Sequence, residues 1–337
     1  MNRGHIGVLP RAPRLEEDSY LEFMESVRNF NIRTLFPKIV PRTFEPQGEQ
    51  STEIRSWKRL MRSQQQQTWQ KIQDGYAAER ARYEAELDAA ERARPNRLHY
   101  DPNFVVPRYA TLDIHLQPGG YVGDSLAGYV FHHGTKVFYQ GDNDQDELHR
   151  QVVDMVAAPA DGRVVRVIDF GCSIGQCTTA LKQRFPQAEV TGLDVGLPLL
   201  RYAHKRAVDL DVDVHFRHGL AEDTGLPSES FDVVLCYILF HEVPERLFPV
   251  ILAEARRLLR PGGTLTVVDA PNDSNLPAPN RMWLKFDALH NCEPYSPAFV
   301  ASDFRKLIED AGLRITHVGP TPTFLHLTTA VKDVAGG

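Results

Sequence analysis

One stretch, Val164-Val165-Arg166-Val167-Ile168-Asp169-Phe170-Gly171-Cys172-Ser173-Ile174-Gly175, constrains this chain more than any other. Its apolar, β-branched start reads as a buried parallel strand. An acid closes the run, and Gly171 and Gly175 let the backbone turn tightly and approach a ligand. Thr178 to Phe185 reads as a helix, so the unit is strand, glycine turn, helix. Helix N-terminal amides then lie at the carboxyl edge of a strand, where open α/β sheets bind cofactors. Dinucleotide sites favour G-x-G-x-x-G. Here Asp169 stands two residues ahead of the first glycine, where it would repel a pyrophosphate and attract an ammonium group.

From residue 164 onward strands and helices alternate, the pattern of an α/β domain. Glu189 to Leu193 is the second strand and ends at Asp194, an acid placed to accept hydrogen bonds from ribose hydroxyls. Leu199 to Ala207 is a helix, and Val212, Val214 and Phe216 alternate as a third strand. Phe231 to Cys236 is the fourth strand, running into Tyr237-Ile238-Leu239-Phe240-His241-Glu242. A helix over 245–260 stops at Arg260-Pro261-Gly262-Gly263, and Thr264 to Asp269 is the fifth strand. Residues 270–300 form a polar insert with Trp283, Phe286, His290 and Tyr295. Ser302 caps a helix ending at Gly312, and Arg314 to Val318 and Thr323 to Val331 close the sheet.

Over roughly residues 160–332 the motifs resemble a class I S-adenosylmethionine (SAM)-dependent methyltransferase of the small-molecule kind. They are Asp169-x-Gly171-x-Ser173-x-Gly175, Asp194, Gly219-Leu220-Ala221-Glu222, Ser230-Phe231-Asp232-Val233-Val234, Leu258-Leu259-Arg260-Pro261-Gly262-Gly263 and Ala311-Gly312-Leu313. The resemblance implies an α/β, Rossmann-like, seven-stranded, mostly parallel sheet flanked by helices, with one antiparallel strand. It implies SAM as cofactor. Asp169, Gly171, Ser173 and Gly175 would hold the methionine end, Asp194 the ribose, Ala221 and Glu222 the adenine, and Cys236 and Tyr237 the methionine side. Leu220 stands where the family often has an Asp beside the adenine amino group. Amino-methyltransferases of nucleic acids carry [N/D]-P-P-[Y/F] after strand four; Leu239-Phe240-His241-Glu242 there argues against a nucleic-acid substrate. Catechol-type enzymes of this class use Asp and Asn ligands for Mg²⁺; Asp269, Asn272 and Asp273 follow strand five, but loop polarity explains them equally, and no metal is expected.

Ahead of the core the chain is expected to be mainly helical. Tyr20, Leu21, Phe23, Met24, Val27 and Phe30 recur at helical spacing between Pro10, Pro13, Pro37, Pro41 and Pro46. Ser51 to about Arg94 reads as one long helix capped by Ser51 or Thr52, with Gln64 to Gln67 on its surface. Tyr109 to Leu116 is expected as a strand, and Gly128 to His132 with Lys136 to Tyr139 as a hairpin. Its aromatic residues are either a packing layer or a lid that excludes water from a methyl donor. Asp144 and Glu147 suggest a capping box. The divisions are residues 1–110, a cap or dimerisation region; 111–160, an aromatic lid and linking helix; and 161–337, the core.

The net charge is −6, which argues against a dominant nucleic-acid surface. No stretch approaches the roughly 18 apolar residues of a membrane span, and no signal-peptide core is visible. Cys172, Cys177, Cys236 and Cys292 form no CxxC pair, which suits reduced thiols in the cytoplasm. The expected partner is a small-molecule methyl acceptor, with a homodimer through the N-terminal helices as a further expectation. His241, just past strand four, is the first candidate base, with helix capping as its structural alternative. His132, His133 and Tyr139 follow, then His290 and Tyr295. The acceptor pocket is expected between residues 121–139 and 271–300. An NAD(P)-dependent oxidoreductase and a non-catalytic scaffold of the same fold are the rival readings.

Overall fold

The computed structural model describes residues 5–6, 9–10, 14–39, 41, 51–272 and 278–334. Pro13, Pro46 and Asp273, named above, lie outside them. Two short strands, β1 (His5–Ile6) and β2 (Leu9–Pro10), precede α1 (Leu15–Asn29). A π-helical turn, Phe30–Leu35, joins α1 to α2 (Phe36–Ile39). Leu21 and Met24 of α1 are buried, while Phe23 and Phe30 stand exposed.

The expected long helix is two. The Ser51 hydroxyl accepts from the Ile54 amide at 3.2 Å and starts α3 (Thr52–Ala77). The chain breaks at Glu79, with φ −122° and ψ 27°, before α4 (Arg80–Ala93). The bend lets α4 reach the core, where Asp88 and Glu91 take Arg201 at 2.6 and 2.5 Å. Gln64 and Gln65, expected on the helix surface, are buried. Gln65 binds Arg28 at 3.0 Å and the His115 carbonyl at 2.8 Å.

After β3 (Leu98–His99) the expected strand over 109–116 is two 3-10 turns, Arg108–Ala110 and Ile114–Leu116. The expected hairpin is a single helix, α5 (Ala127–Phe138). Its β-branched and aromatic residues favour strands locally, but they pack between α3 and the core, and burial overrides that preference. Gly134 permits the packing: a Cβ there would lie 1.8 Å from Trp69 Cζ3. The next helix, α6 (Glu147–Asp154), starts at Asp146, not Asp144; the Asp144 carboxylate instead meets Lys136 at 3.4 Å.

The core follows the expected alternation: β4 (Arg166–Phe170), α7 (Gln176–Arg184), β5 (Glu189–Asp194), α8 (Leu197–Asp209), β6 (His215–His218), β7 (Phe231–Tyr237), α9 (Phe248–Leu258) and β8 (Leu259–Asp269). The insert forms α10 (Ala278–His290) and α11 (Ser296–Ala301). Asp303, not Ser302, caps α12 (Phe304–Asp310), accepting from the Lys306 amide at 3.1 Å. The chain closes with β9 (Arg314–Pro320) and β10 (His326–Val331). The sheet order is β3-β6-β5-β4-β7-β8-β10-β9, with β10 antiparallel to both neighbours and the remaining pairs parallel. The expected seven strands are joined at one edge by an eighth, β3, from the N-terminal region.

One face of the sheet packs Phe170, Phe240, Phe248, Phe299 and Phe304 under α9, α11 and α12. The other buries Val167, Leu181, Val190 and Phe216 under α6, α7 and α8. A third cluster joins the N-terminal helices to the core, and Ile174 from the tip of the glycine turn belongs to it. That contact fixes α5 over the carboxyl end of the sheet.

Candidate functional site

A cavity of about 160 Å³ opens at that end. Its floor is the glycine turn and the tips of β4, β5 and β7; its roof is the segment from Tyr109 to Tyr139. Positive φ angles at Gly171 (68°), Ser173 (49°) and Gly175 (73°) carry the turn. A Cβ at Gly175 would come within 2.8 Å of the Phe216 ring, so this glycine serves packing and does not line the cavity. The Gly171 and Cys172 amides donate to the Leu193 carbonyl at 2.8 and 3.0 Å. Asp194 accepts from the Ser173 amide at 2.8 Å through one carboxylate oxygen and from the Gly196 amide at 2.7 Å through the other. Each oxygen keeps acceptor capacity toward the cavity.

Asp169 is 1% exposed and accepts from the Thr178 hydroxyl at 2.7 Å. Burial, with Asp194 nearby, pushes its carboxyl up to about 7. Burial pushes Asp194 up to about 6, against the pull of its amide donors. Two carboxyls held so far above their usual range mark a site that gains from a cationic or hydroxyl-bearing ligand. The Ser173 hydroxyl is buried and has no hydrogen-bond partner among the described residues. Glu222 accepts from the Tyr109 hydroxyl at 2.6 Å and so ties the roof to the core.

Asp169, Gly171, Ser173, Asp194, Ala221, Glu222 and Tyr237 all line the cavity; Cys236 lies buried behind it. Among the expected bases, Tyr139 is on the wall, with burial lifting its phenol to about 12. His132 and His133 are not. They occupy the opposite face of α5, where His132 Nδ1 meets the Tyr202 hydroxyl at 2.8 Å and His133 packs edge-on against Tyr76. α5 is a packing layer through Tyr129, His132 and His133, and its other face lines the cavity through Phe131, Thr135 and Phe138.

His241 is off the wall as well. Its Nδ1 bonds to Asp269, which also accepts from the Leu239 and Phe240 amides at 3.1 and 2.8 Å. Burial would discharge the imidazole, but Asp269 outweighs it and holds it up to about 9. Asp269 is thereby committed to that turn. Among the described residues no cluster of three or more His, Cys, Asp or Glu could hold a metal. His290 packs at a tilt against Phe286, and the Tyr295 hydroxyl lies 3.5 Å from the Tyr109 carbonyl; neither lines the cavity.

Other residues complete the wall. Trp69, Ile114, His115, Tyr121, Phe131, Phe138, Leu239 and Val243 make the far side largely apolar, with Glu242 among them. Among the described residues the insert expected to share this pocket, 271–300, does not line it; Glu293 approaches through His115. His149 is also on the wall, and burial lowers it to about 3. Tyr121 and the other aromatics belong to a segment whose aromatic content is visible in sequence. The meeting of His115 with Glu242 and Glu293 has no local signal.

Residues 167–263 match a family described as a methyltransferase domain. A fatty-acid O-methyltransferase from Mycolicibacterium smegmatis is 35% identical over 40% of this chain and 49% of its own length. A demethylmenaquinone methyltransferase from Thermus thermophilus is 31% identical over 36% of this chain and 53% of its own. The chain spans about half the length of the curated relatives it matches. An O-methyltransferase family protein of known structure from Burkholderia thailandensis is 18% identical, with TM-score 0.49 over 60% of this chain and 61% of that one.

Proposed function

We propose that this chain, which carries a class I SAM-dependent methyltransferase domain behind a helical N-terminal region, transfers a methyl group to a small, largely apolar acceptor. The observation that carries the reading is one shared cavity: the glycine turn, Asp169 and Asp194 on one side, an aromatic roof on the other. The residues suit the cofactor. Asp169 would face its ammonium group, Asp194 its ribose hydroxyls, and Ala221 with Glu222 its adenine. The unpartnered Ser173 hydroxyl offers one more polar contact.

When bound, SAM supplies an activated methyl group on a sulfonium. The protein's share is alignment, exclusion of water and proton removal. Trp69, Tyr121, Phe131 and Phe138 would shield the site and present aromatic faces to a cation. The fatty-acid and demethylmenaquinone enzymes among the relatives act, by their names, on apolar acceptors, which supports the same class here. No helix among the described residues is long and apolar enough to cross a membrane. The four cysteines are free, which supports a reducing, cytoplasmic setting. The exposed Leu15, Phe23 and Phe30 support a homodimer through the N-terminal helices, which sedimentation tests.

Calorimetric titration with SAM, its demethylated product S-adenosylhomocysteine (SAH) and NAD separates this reading from an oxidoreductase or a scaffold. SAM and SAH should bind and NAD should not. Asp194→Ala should weaken SAH about 10- to 100-fold, the range for a hydrogen bond to a charged group. Unchanged affinity would remove Asp194 from the cofactor site.

A further inference from the structure

The wall away from the glycine turn holds an ion cluster that cofactor binding does not require. His115 has φ 56° and Leu116 φ 63°. Neither is the glycine that left-handed backbone favours, so the surroundings must hold the bend. Three contacts converge on His115. Its Nδ1 is 2.9 Å from Glu293, its Nε2 is 3.3 Å from Glu242, and its carbonyl accepts from Gln65 at 2.8 Å. The partners come from α3, the turn after β7 and the loop between α10 and α11. The Tyr121 hydroxyl lies 3.4 Å from the same Glu242 oxygen. His115, Tyr121 and Glu242 line the cavity.

Charge decides which of these groups can take a proton. Burial alone would discharge His115, but Glu293 and Glu242 outweigh it and hold it up to about 10. The two carboxylates thus favour its charged form. His241 is likewise charged through Asp269. His149, lowered to about 3, is too weak a base. Glu242 is the wall carboxylate on this side that both His115 and Tyr121 hold in place.

We propose that Glu242 is the catalytic residue that takes the acceptor's proton, that His115 and Glu293 position it, and that the acceptor group is a hydroxyl on an apolar ring. The inference rests on the methyl-transfer reading above. The acceptor oxygen forms its bond to the methyl carbon as the S–CH₃ bond breaks, the electron pair of that bond stays on sulfur, and the hydroxyl proton passes to Glu242. A thiol ionises near pH 8.5 without help, at roughly the unperturbed value, and an amine attacks through its lone pair. A neutral hydroxyl needs a base at this point.

The test uses the full chain with 1-naphthol and 1-naphthalenethiol as probes and tritiated SAM as donor. Glu242→Gln should lower turnover of the naphthol about 100-fold or more, the scale of general-base catalysis, and cost the thiol about tenfold less. His115→Asn should reproduce that selective loss, the double variant should be no worse than Glu242→Gln, and Glu242→Asp should recover part of the naphthol rate. A fold defect would lower both probes together. Independently of turnover, the His115 imidazole followed by NMR in the cofactor-free protein should titrate near 10 and fall in Glu242→Gln. Equal losses on both probes, undiminished naphthol turnover, additive variants, activity on the thiol alone, or a His115 titrating at its ordinary value would each overturn the proposal. SAH titration keeps the two readings apart. Failure of wild-type protein to bind SAH sinks methyl transfer itself, whereas intact SAH binding with unaltered naphthol selectivity sinks only the role of Glu242.

Discussion

The two sides of the cavity are built in different ways. The glycine-turn side is short-range: Asp169 to Asp194 spans one strand-turn-helix-strand unit, and its bonds run between neighbouring strand tips. The aromatic side is assembled from α3, the 3-10 turns, α5 and the end of β7, so its contacts join residues far apart in sequence. Tyr121 and Glu242 are separated by 121 positions. A site of the first kind keeps its backbone frame as long as the sheet is intact. One of the second kind depends on how the N-terminal helices dock.

The largest expected effect comes from separating the two sides. Asp146 pairs with the fully buried Arg206 of α8, and also takes the Gln176 side chain of α7. Asp146→Ala leaves a buried guanidinium unpaired and should cost about 3–5 kcal/mol in urea unfolding. Adding Arg206→Met should restore most of it. If Asp146→Ala is neutral, the linking segment is not pinned by this pair.

Next comes removal of one aromatic from the roof. Phe131→Ala should weaken 1-naphthol binding by about 1.5–3 kcal/mol, the worth of a buried aromatic side chain, and leave SAH affinity within about twofold. Equal loss of both ligands in calorimetry would show that the two sides do not act separately.

Smallest for each step is a proton linkage confined to the glycine-turn side, about 1.4 kcal/mol per pH unit. Asp169, raised to about 7, carries its proton in the free protein below that pH, whereas a bound ammonium favours the carboxylate. SAH binding should therefore release a proton and weaken about tenfold per pH unit below neutrality. Asp194, raised to about 6, adds to the loss below its own value. Calorimetry in buffers of different ionisation enthalpy reads the proton directly. Affinity that is flat between pH 5 and 8, roughly the range spanning both groups, would show that Asp169 does not meet the ammonium.

The two sides are unequally legible in the amino-acid sequence, for the same physical reason. Strand ends, turn glycines and the acids at strand tips are local features, and the core elements fall where their periodicity places them. The roof is decided by tertiary packing. Tyr129, Val130, Phe131, Val137 and Phe138 are strand formers, and they are helical because both faces of α5 find partners, down to the contact of Gly134 with Trp69. His241 shows the limit of position alone: it sits at the expected strand tip, yet its ring turns to Asp269. His115 lies in a turn with no motif, and its charge comes from carboxylates that only the fold brings near.

The short strand β3 has a consequence for synthesis on the ribosome. It pairs with β6 through Leu98↔Phe216 and His99↔Arg217, and the neighbouring Arg97 meets His215 across 118 residues. The N-terminal helices emerge first, but the sheet edge that receives them does not exist until β6 has left the exit tunnel. Until then the faces of α3 and α4 that later bury Trp69, Tyr76 and Leu87 have α1 and α5 to pack on but not the finished core. Assembly of this chain should thus begin at its middle, with its first hundred residues joining late, and the nascent N-terminal region is where a chaperone would be needed most.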